Sequence, residues 1–320
     1  MAAETLSAVL VMPRGFGELA ESLRHLRAQT RPGSIEVVLV HTTARAAEID
    51  RSAFAGFRGF RTLALDRIPT VASAFVAAFE QATGDVIALV EDHVMLEPEW
   101  AEAVLAAHAS PSAAVAPQMT NGNPATATSW ANFLASFSEA AVPRPAGPVE
   151  CGPGHNTSYK RAVLQQYGQE LTALYQSERS FHYRLHDDGH VIVHEPRARL
   201  SHLNISVPVE AMRHALLGGV LFGAYRGRSM STGEKAARTL LAPAVPPLRL
   251  WRTARMCARA STLVPFKVWL LLPVVLLAHA VGEAVGYWRV VGNVEDRYEH
   301  FELHRLECLR ADERVLMTGT

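Results

Sequence analysis

Short runs that are apolar along nearly their whole length, separated by amphipathic stretches, fill the first half of the chain and leave few folds open. Ala8-Val9-Leu10-Val11-Met12 is such a run, and it breaks at Pro13-Arg14-Gly15. Leu19, Leu23 and Leu26 then recur at i, i+4 and i+7, which predicts an amphipathic helix over 18–29. Arg31-Pro32-Gly33-Ser34 stops it, and Ile35-Glu36-Val37-Val38-Leu39-Val40 is the next strand. A third strand is expected over 62–65 and a helix over 70–82. A buried strand over 86–90 runs straight into Glu91-Asp92-His93. A strand with one wet face alternates polar and apolar residues, whereas a strand apolar on both sides belongs to a parallel sheet covered by helices. The expectation is therefore an α/β domain with right-handed connections.

Beyond residue 121 Gly, Pro, Thr and Ser break the pattern. Helices are expected over 130–138, 159–167 and 178–186, and short strands over 191–193 and 199–203. The chain's 49% apolar and 19% charged residues allow a sizeable core. Lys+Arg and Asp+Glu both total 31, so no net charge points to nucleic acid as a partner. Three scattered cysteines, Cys151, Cys257 and Cys308, form no CxxC pair, which argues against a disulfide framework or structural zinc and fits a reducing compartment. No basic region precedes an apolar run between Met1 and Ser7, which predicts no signal peptide and a domain facing the cytoplasm.

The composition shifts after about residue 229. Seven basic residues and no acidic one lie between Lys235 and Lys267. At helical spacing Arg252, Arg255 and Arg259 share one side, with Leu250, Ala254 and Cys257 opposite. Residues 268–281 then carry no charge. One reading is a solvated helix followed by a core helix. The other is a basic interfacial helix leading into a membrane-embedded one. An apolar helix of that length reaches roughly 21 Å, against about 30 Å of hydrocarbon, so a dipping segment competes with a span.

Glu91-Asp92-His93 sits where open α/β sheets place ligands, at the carboxyl end of a buried parallel strand. Carboxylate oxygen and imidazole nitrogen can together hold a divalent cation, which in turn can hold a diphosphate. The same three residues also read as the solvated start of an ordinary loop.

Several segments in order carry a family resemblance. Ala8-Val9-Leu10-Val11-Met12-Pro13, the helix ending in Ala28-Gln29-Thr30, and the strand from Glu36 to Val40 resemble the opening βαβ unit of family 2 glycosyltransferases. Ala82-Thr83-Gly84-Asp85 through Glu91-Asp92-His93, followed by Glu97-Pro98-Glu99-Trp100, resembles their strand into the DxD motif. Gly152-Pro153-Gly154-His155-Asn156-Thr157 is similar to their glycine-rich acceptor-side loop, and Glu178 stands in the neighbourhood of their Glu-Asp motif. The strand ending at His202 resembles one whose histidine completes a metal site. Gly282-Glu283-Ala284-Val285-Gly286-Tyr287 resembles a segment after the apolar tail of membrane-associated members.

The resemblance implies a GT-A fold: a Rossmann-like, mostly parallel central sheet with helices on both faces, over 1–228. A C-terminal, membrane-associated helical region would cover 229–320. It implies a metal-dependent, inverting transferase taking a nucleotide-sugar donor to a polysaccharide or lipid-linked acceptor, at the cytoplasmic face of the cell membrane. His93, Glu91 and His202 would hold Mn2+ or Mg2+. Pro13, Arg14, Glu91 and Asp92 would border the donor, and Gly154, His155 and Asn156 the acceptor. Glu178 would be the general base. Two departures stand out: His41-Thr42-Thr43 replaces the base-recognising aspartate after the second strand, and Glu178 is followed by Arg179 rather than an acid. They leave room for a non-catalytic GT-A-like subunit that binds a partner transferase or lipid carrier. A nicotinamide oxidoreductase is disfavoured, because Arg14-Gly15-Phe16-Gly17 lacks the third glycine of the dinucleotide fingerprint.

Overall fold

A computed structural model describes residues 5–137, 139–176, 178–289 and 292–319, with Glu178 described by its backbone alone. Contacts divide the chain into two units. The first comprises Met1–Gly122, Pro143–His202 and Arg314–Thr320, and the second Asn123–Val142 and Leu203–Glu313.

The first unit is built on β1 (Leu6–Met12), β2 (Ile35–Thr42), β3 (Gly59–Leu65), β4 (Val86–Val90), β5 (Val94–Leu96), β6 (Ala114–Asn121), β7 (Gly147–Val149), β8 (Ser158–Lys160) and β9 (Ile192–His202). They form one sheet in the order β3-β2-β1-β4-β8-β6-β9-β5, with β7 paired to β9. The β3-β2-β1-β4 half is parallel throughout. β1 and β4 are buried at every position and β2 at all but its last, as fully apolar strands in a covered sheet should be. The other half is mixed. β8 runs antiparallel between β4 and β6, and β9 pairs parallel with β6 and antiparallel with β5.

The expected helix over 70–82 is present as Val71–Gln81, entered through a capping box in which Thr70 and Ser73 satisfy each other's backbone N–H. The helix expected over 18–29 begins with a 3-10 turn, Phe16–Leu19, and continues as Ala20–Arg27. Gln29 closes it: its Oε1 accepts from Ala101 N at 2.9 Å and its Nε2 donates to Glu97 O at 2.9 Å. That ties the helix to the start of a later one, Trp100–His108.

Other expectations change. Tyr159 opens no helix; it lies on β8, and short helical turns follow from Arg161. The runs expected as two strands over 191–193 and 199–203 are one long strand, β9, whose pairing with β6 slips between Pro117 and Gln118. The polar stretch Glu195-Pro196-Arg197 between the runs is absorbed by that bulge.

At the amino-terminal edge of the sheet, Glu36 is the charged residue within β2, and it is buried. It accepts from Ser7 Oγ at 2.6 Å, Thr83 N at 2.7 Å and Arg61 Nε at 2.8 Å. Burial pushes its carboxyl up, but the hydrogen bonds from Ser7, Thr83 and Arg61 outweigh it and hold the group below its ordinary value. One carboxylate thus ties β1, β2, β3 and the turn before β4, which leaves the opposite edge free for chemistry.

The second unit is helical: Ala127–Phe137, Pro208–Gly227, Thr232–Leu241, Val245–Arg259, Phe266–Gly286 and Val294–Leu303. Ser138, the expected end of the first of these, lies outside the described residues. Ile205, Ala211, Phe301 and Cys308 make one of its apolar clusters. Asn123 supplies a polar joint: its Oδ1 accepts from Asn204 N and Ser129 Oγ, both at 2.8 Å. Arg252, Arg255 and Arg259 are exposed on their helix and Cys257 is buried, the sidedness the spacing predicts. Among the described residues, Phe266–Gly286 is long and apolar enough to cross a membrane by length and composition.

Candidate active site

Parallel pairing puts the carboxyl ends of β1 and β4 at one edge, because Leu10 faces Val90 and Met12 faces His41. Pro13 and Arg14 leave β1 there, and Glu91 leaves β4. Antiparallel pairing delivers the rest. β8 matches Ala88 to Ser158, so the residues just before Ser158 come level with those just after β4. β5 matches Val94 to His202, so the last residue of β9 arrives two positions beyond His93's neighbour Asp92.

The outcome is a buried cluster around one carboxylate. Glu91 Oε2 accepts from Asn156 Nδ2 at 2.9 Å, and Oε1 lies 3.1 Å from His155 Nδ1. His93 Nε2 and His202 Nε2 stand 3.8 and 3.6 Å from Glu91 Oε2, with the two imidazole rings edge to face at 4.8 Å. Behind His93, Asp92 Oδ1 takes the Nδ1 proton at 2.7 Å. That hydrogen bond orients the ring and turns Nε2 toward Glu91 and His202. Burial pushes the Glu91 carboxyl up, but His93, His155 and His202 around it hold it well below the usual carboxylate range. It is therefore ionised at neutral pH.

Local structure holds these groups in place. Gly154 has φ +48°, in the left-handed region, and starts the turn Gly154–Asn156 that swings His155 and Asn156 onto Glu91. Ser22, from the Ala20–Arg27 helix, has its Oγ 3.0, 2.7 and 3.0 Å from the carbonyl oxygens of Glu91, Asp92 and Val94. Its single proton is shared among the carbonyls of that backbone bend. Tyr175 stacks on Phe75 with ring centroids 4.3 Å apart and lies 6.2 Å from the His155 ring. Burial, then Tyr159 and Glu91, push its hydroxyl well above its ordinary value, so it stays a neutral neighbour of the carboxylate.

The helix Glu178–Asp187 packs against the Gly154–Asn156 turn. His182 on it accepts from Gly152 N at 3.2 Å through Nδ1, which leaves Nε2–H to donate to the Tyr159 hydroxyl at 2.8 Å. Burial, then Arg179 and His186, lower His182 to about 3, so it is a neutral strut. Glu178 lies one turn upstream, and its side chain is outside the described residues. Arg14 Nε pairs with Glu18 Oε1 at 3.2 Å at the mouth of β1. His41, where an aspartate was expected, is buried, its Nδ1 3.0 Å from Thr42 O. Trp100 is buried within its helix and Trp130 donates to Pro124 O at 3.1 Å, so both pack. Ser22 and Tyr175 are the contributors the sequence reading missed. Ser22 looked like the polar side of an amphipathic helix, and no local pattern marks Tyr175.

One ligand atom each from Glu91, His93 and His202 lies within 4.8 Å of the others, all three residues buried. Donors about 2.0–2.2 Å from a shared ion stand about 3–3.6 Å apart, close to the separations around Glu91. The mixed oxygen and nitrogen set suits a first-row divalent cation. If Asp92 orients His93 for a cation, Asp92→Asn weakens Mn2+ binding about 10–100-fold. A Mn2+ titration of folded protein checks this, and an unchanged affinity removes Asp92 from the site.

An α/β sheet, parallel in one half and mixed in the other, with a buried carboxylate and imidazole cluster at its carboxyl edge, is the architecture of the GT-A fold. Residues 12–168, just under half of the chain, match the model of glycosyl transferase family 2, which supports glycosyl transfer as the general activity. Among solved structures the chain is similar to the mannosyltransferase PcManGT from Pyrobaculum calidifontis in complex with GDP-Man and Mn2+. That likeness has 16% identity and a TM-score of 0.55, covering 88% of this chain and 87% of the other. It is also similar to S. aureus TarS, with 15% identity and a TM-score of 0.46, covering 92% of this chain and 55% of that one. No curated protein matches the sequence.

Proposed function

We propose that the protein is a divalent-metal-dependent, inverting glycosyltransferase that moves a sugar from a nucleotide-sugar donor to a polysaccharide or lipid-linked acceptor. The observation that carries this is the convergence of Glu91, His93 and His202, with Asp92 behind His93, beside the Gly154–Asn156 turn. A neighbour of the same fold holds GDP-Man with Mn2+, which supports both the donor class and the cation.

His93, Glu91 and His202 would hold the cation, Mn2+ or Mg2+, which when bound neutralises charge on the leaving diphosphate. Glu91 stays ionised among the imidazoles, while Asn156 and His155 fix the direction of its carboxylate. Pro13, Arg14 and Asp92 border the donor side, and Gly154 keeps the acceptor-side turn open. Glu178 accepts the proton of the attacking acceptor hydroxyl, and displacement from the face opposite the leaving diphosphate inverts the anomeric carbon. The enzyme works at the cytoplasmic face of the cell membrane, held there by its C-terminal helices.

A second reading, a non-catalytic subunit of the same fold, draws on the Glu178-Arg179 pair and on His41. Nucleoside diphosphates and their sugars, screened with Mn2+ or a chelator, separate the two. The enzyme should show Mn2+-dependent donor hydrolysis and stabilisation by the matching diphosphate, about 2.7 kcal/mol at a hundredfold excess over Kd. Stabilisation without hydrolysis favours the binding subunit. Neither effect with any nucleotide would reject the enzyme and leave a subunit that binds a partner transferase or lipid carrier.

A further inference from the structure

The Phe266–Gly286 helix has two unlike faces. Phe266, Leu270, Val274, Leu277, Val281 and Val285 are exposed, Phe266 by 74% and Leu270 by 63%. Their spacing by four and three places them in an arc of about 100° and along about 28 Å of helix. Trp288, half exposed, continues the line past the helix end. A continuous apolar stripe in water is an interaction surface.

The helix cannot turn to hide that stripe, because its other face is already committed. A Cβ on Gly282 would stand 2.1 Å from Leu216 O, and one on Gly286 2.2 Å from Val220 O. Reciprocally, a Cβ on Gly219 would meet His279 O at 2.1 Å and one on Gly223 Glu283 O at 2.2 Å. The helix therefore lies backbone to backbone on Pro208–Gly227, glycine against main chain on both sides. Glu283 on this inner face accepts from Arg226 at 3.2 Å and from the Tyr287 hydroxyl.

The glycine contacts also set the register. The two helices run parallel, with Gly219 beside His279 and Gly223 beside Glu283, so Glu210 and Arg213 come alongside the middle of the apolar helix. Those two form an ion pair at 2.9 Å with Arg213 largely exposed. A transmembrane helix with this partner would carry Arg213 to the centre of the hydrocarbon, where an ion is costly. An in-plane helix carries it no deeper than the headgroups.

Charge identifies what lies against the stripe. The stretch between Lys235 and Lys267 has seven basic residues and no acid. Arg252, Arg255 and Arg259 are exposed on Val245–Arg259, with the Arg255 guanidinium 5.2 Å over the exposed Trp251 ring. Lys267 is exposed next to Phe266. Aromatic and aliphatic residues beside exposed positive charge match an anionic membrane surface.

We propose that this face of the helical unit docks on an anionic lipid bilayer, with the Phe266–Gly286 helix lying in the plane of the interface rather than crossing it. The proposal rests on the membrane association suggested above and deepens it by assigning the lipid charge, the contacting residues and the topology.

Flotation of the purified full chain with vesicles tests it. The protein should float with vesicles containing about one-third phosphatidylglycerol and far less with phosphatidylcholine alone. The triple change Arg252→Glu, Arg255→Glu, Arg259→Glu should weaken binding about 100-fold or more. Leu270→Asp with Leu277→Asp should abolish it, while circular dichroism shows both exposed-site variants folded. Bound protein should come off in an alkaline carbonate wash. Retention through that wash means a spanning helix, which overturns the in-plane proposal but leaves membrane association standing. Equal flotation with both vesicles overturns the anionic assignment alone. No flotation with either overturns both, and a dimer dissociated by Leu270→Asp would then show that a second copy covers the stripe.

Discussion

His93→Ala should cost the protein its response to manganese. The imidazole is held by Asp92 so that Nε2 faces Glu91 and His202, and alanine removes one of three converging donors while leaving the other two in place. A cation at a diphosphate supplies several kcal/mol of charge stabilisation, so the loss should appear as at least about 10²–10³ in kcat/KM. Donor binding should become insensitive to Mn2+ at the same time. The substitution also strands Asp92 without its buried partner, at about 1–3 kcal/mol of stability. A thermal melt therefore accompanies the Mn2+ titration, and His202→Ala serves as a second variant that spares Asp92. If both variants titrate with Mn2+ as the parent does, the cation does not sit at this cluster.

How much of this was legible depended on the range of the interactions. β1, β2 and β4 and the Val71–Gln81 helix could be read because burial on both faces, or a 3.6-residue period, is written in consecutive residues. The placement of Glu91-Asp92-His93 at a strand end followed from the same runs. The mixed half of the sheet was much harder. β8 is three residues long, and Tyr159 takes a strand conformation only because β4 and β6 lie on either side of it. β9 hides its continuity behind Glu195-Pro196-Arg197, and no local rule says that β6 will tolerate the slip at Pro117. His202 alone looks like any strand-end histidine; its partner is selected by the β5–β9 pairing across more than a hundred residues. The turn of Gly154–Asn156 was visible, but not that its two side chains would close on Glu91. The sidedness of Val245–Arg259 was plain from its arginines. The glycine-to-backbone packing that frees the opposite stripe of Phe266–Gly286 appears only when Pro208–Gly227 lies against it.

Glu178→Gln should stop turnover and leave donor binding nearly intact. Glu178 begins the helix that packs on the Gly154–Asn156 turn, one turn before His182, whose bonds to Gly152 and Tyr159 anchor that helix to the segment around the turn. Glutamine keeps the size and the hydrogen-bonding capacity but cannot take a proton. The expected loss in kcat is that of a general base, about 10²–10⁴, with KM for the donor changed little. A positive charge next to a carboxylate favours its ionised form, so Arg179 beside Glu178 would make it a weaker base. Arg179→Ala should then move the acid limb of the kcat profile to higher pH, an effect that a structural role for the arginine would not produce. Equal turnover by Glu178→Gln with an unchanged pH profile would take the base away from this helix. With the parent still hydrolysing donor, the proton acceptor would then have to be sought among the other groups facing the Gly154–Asn156 turn.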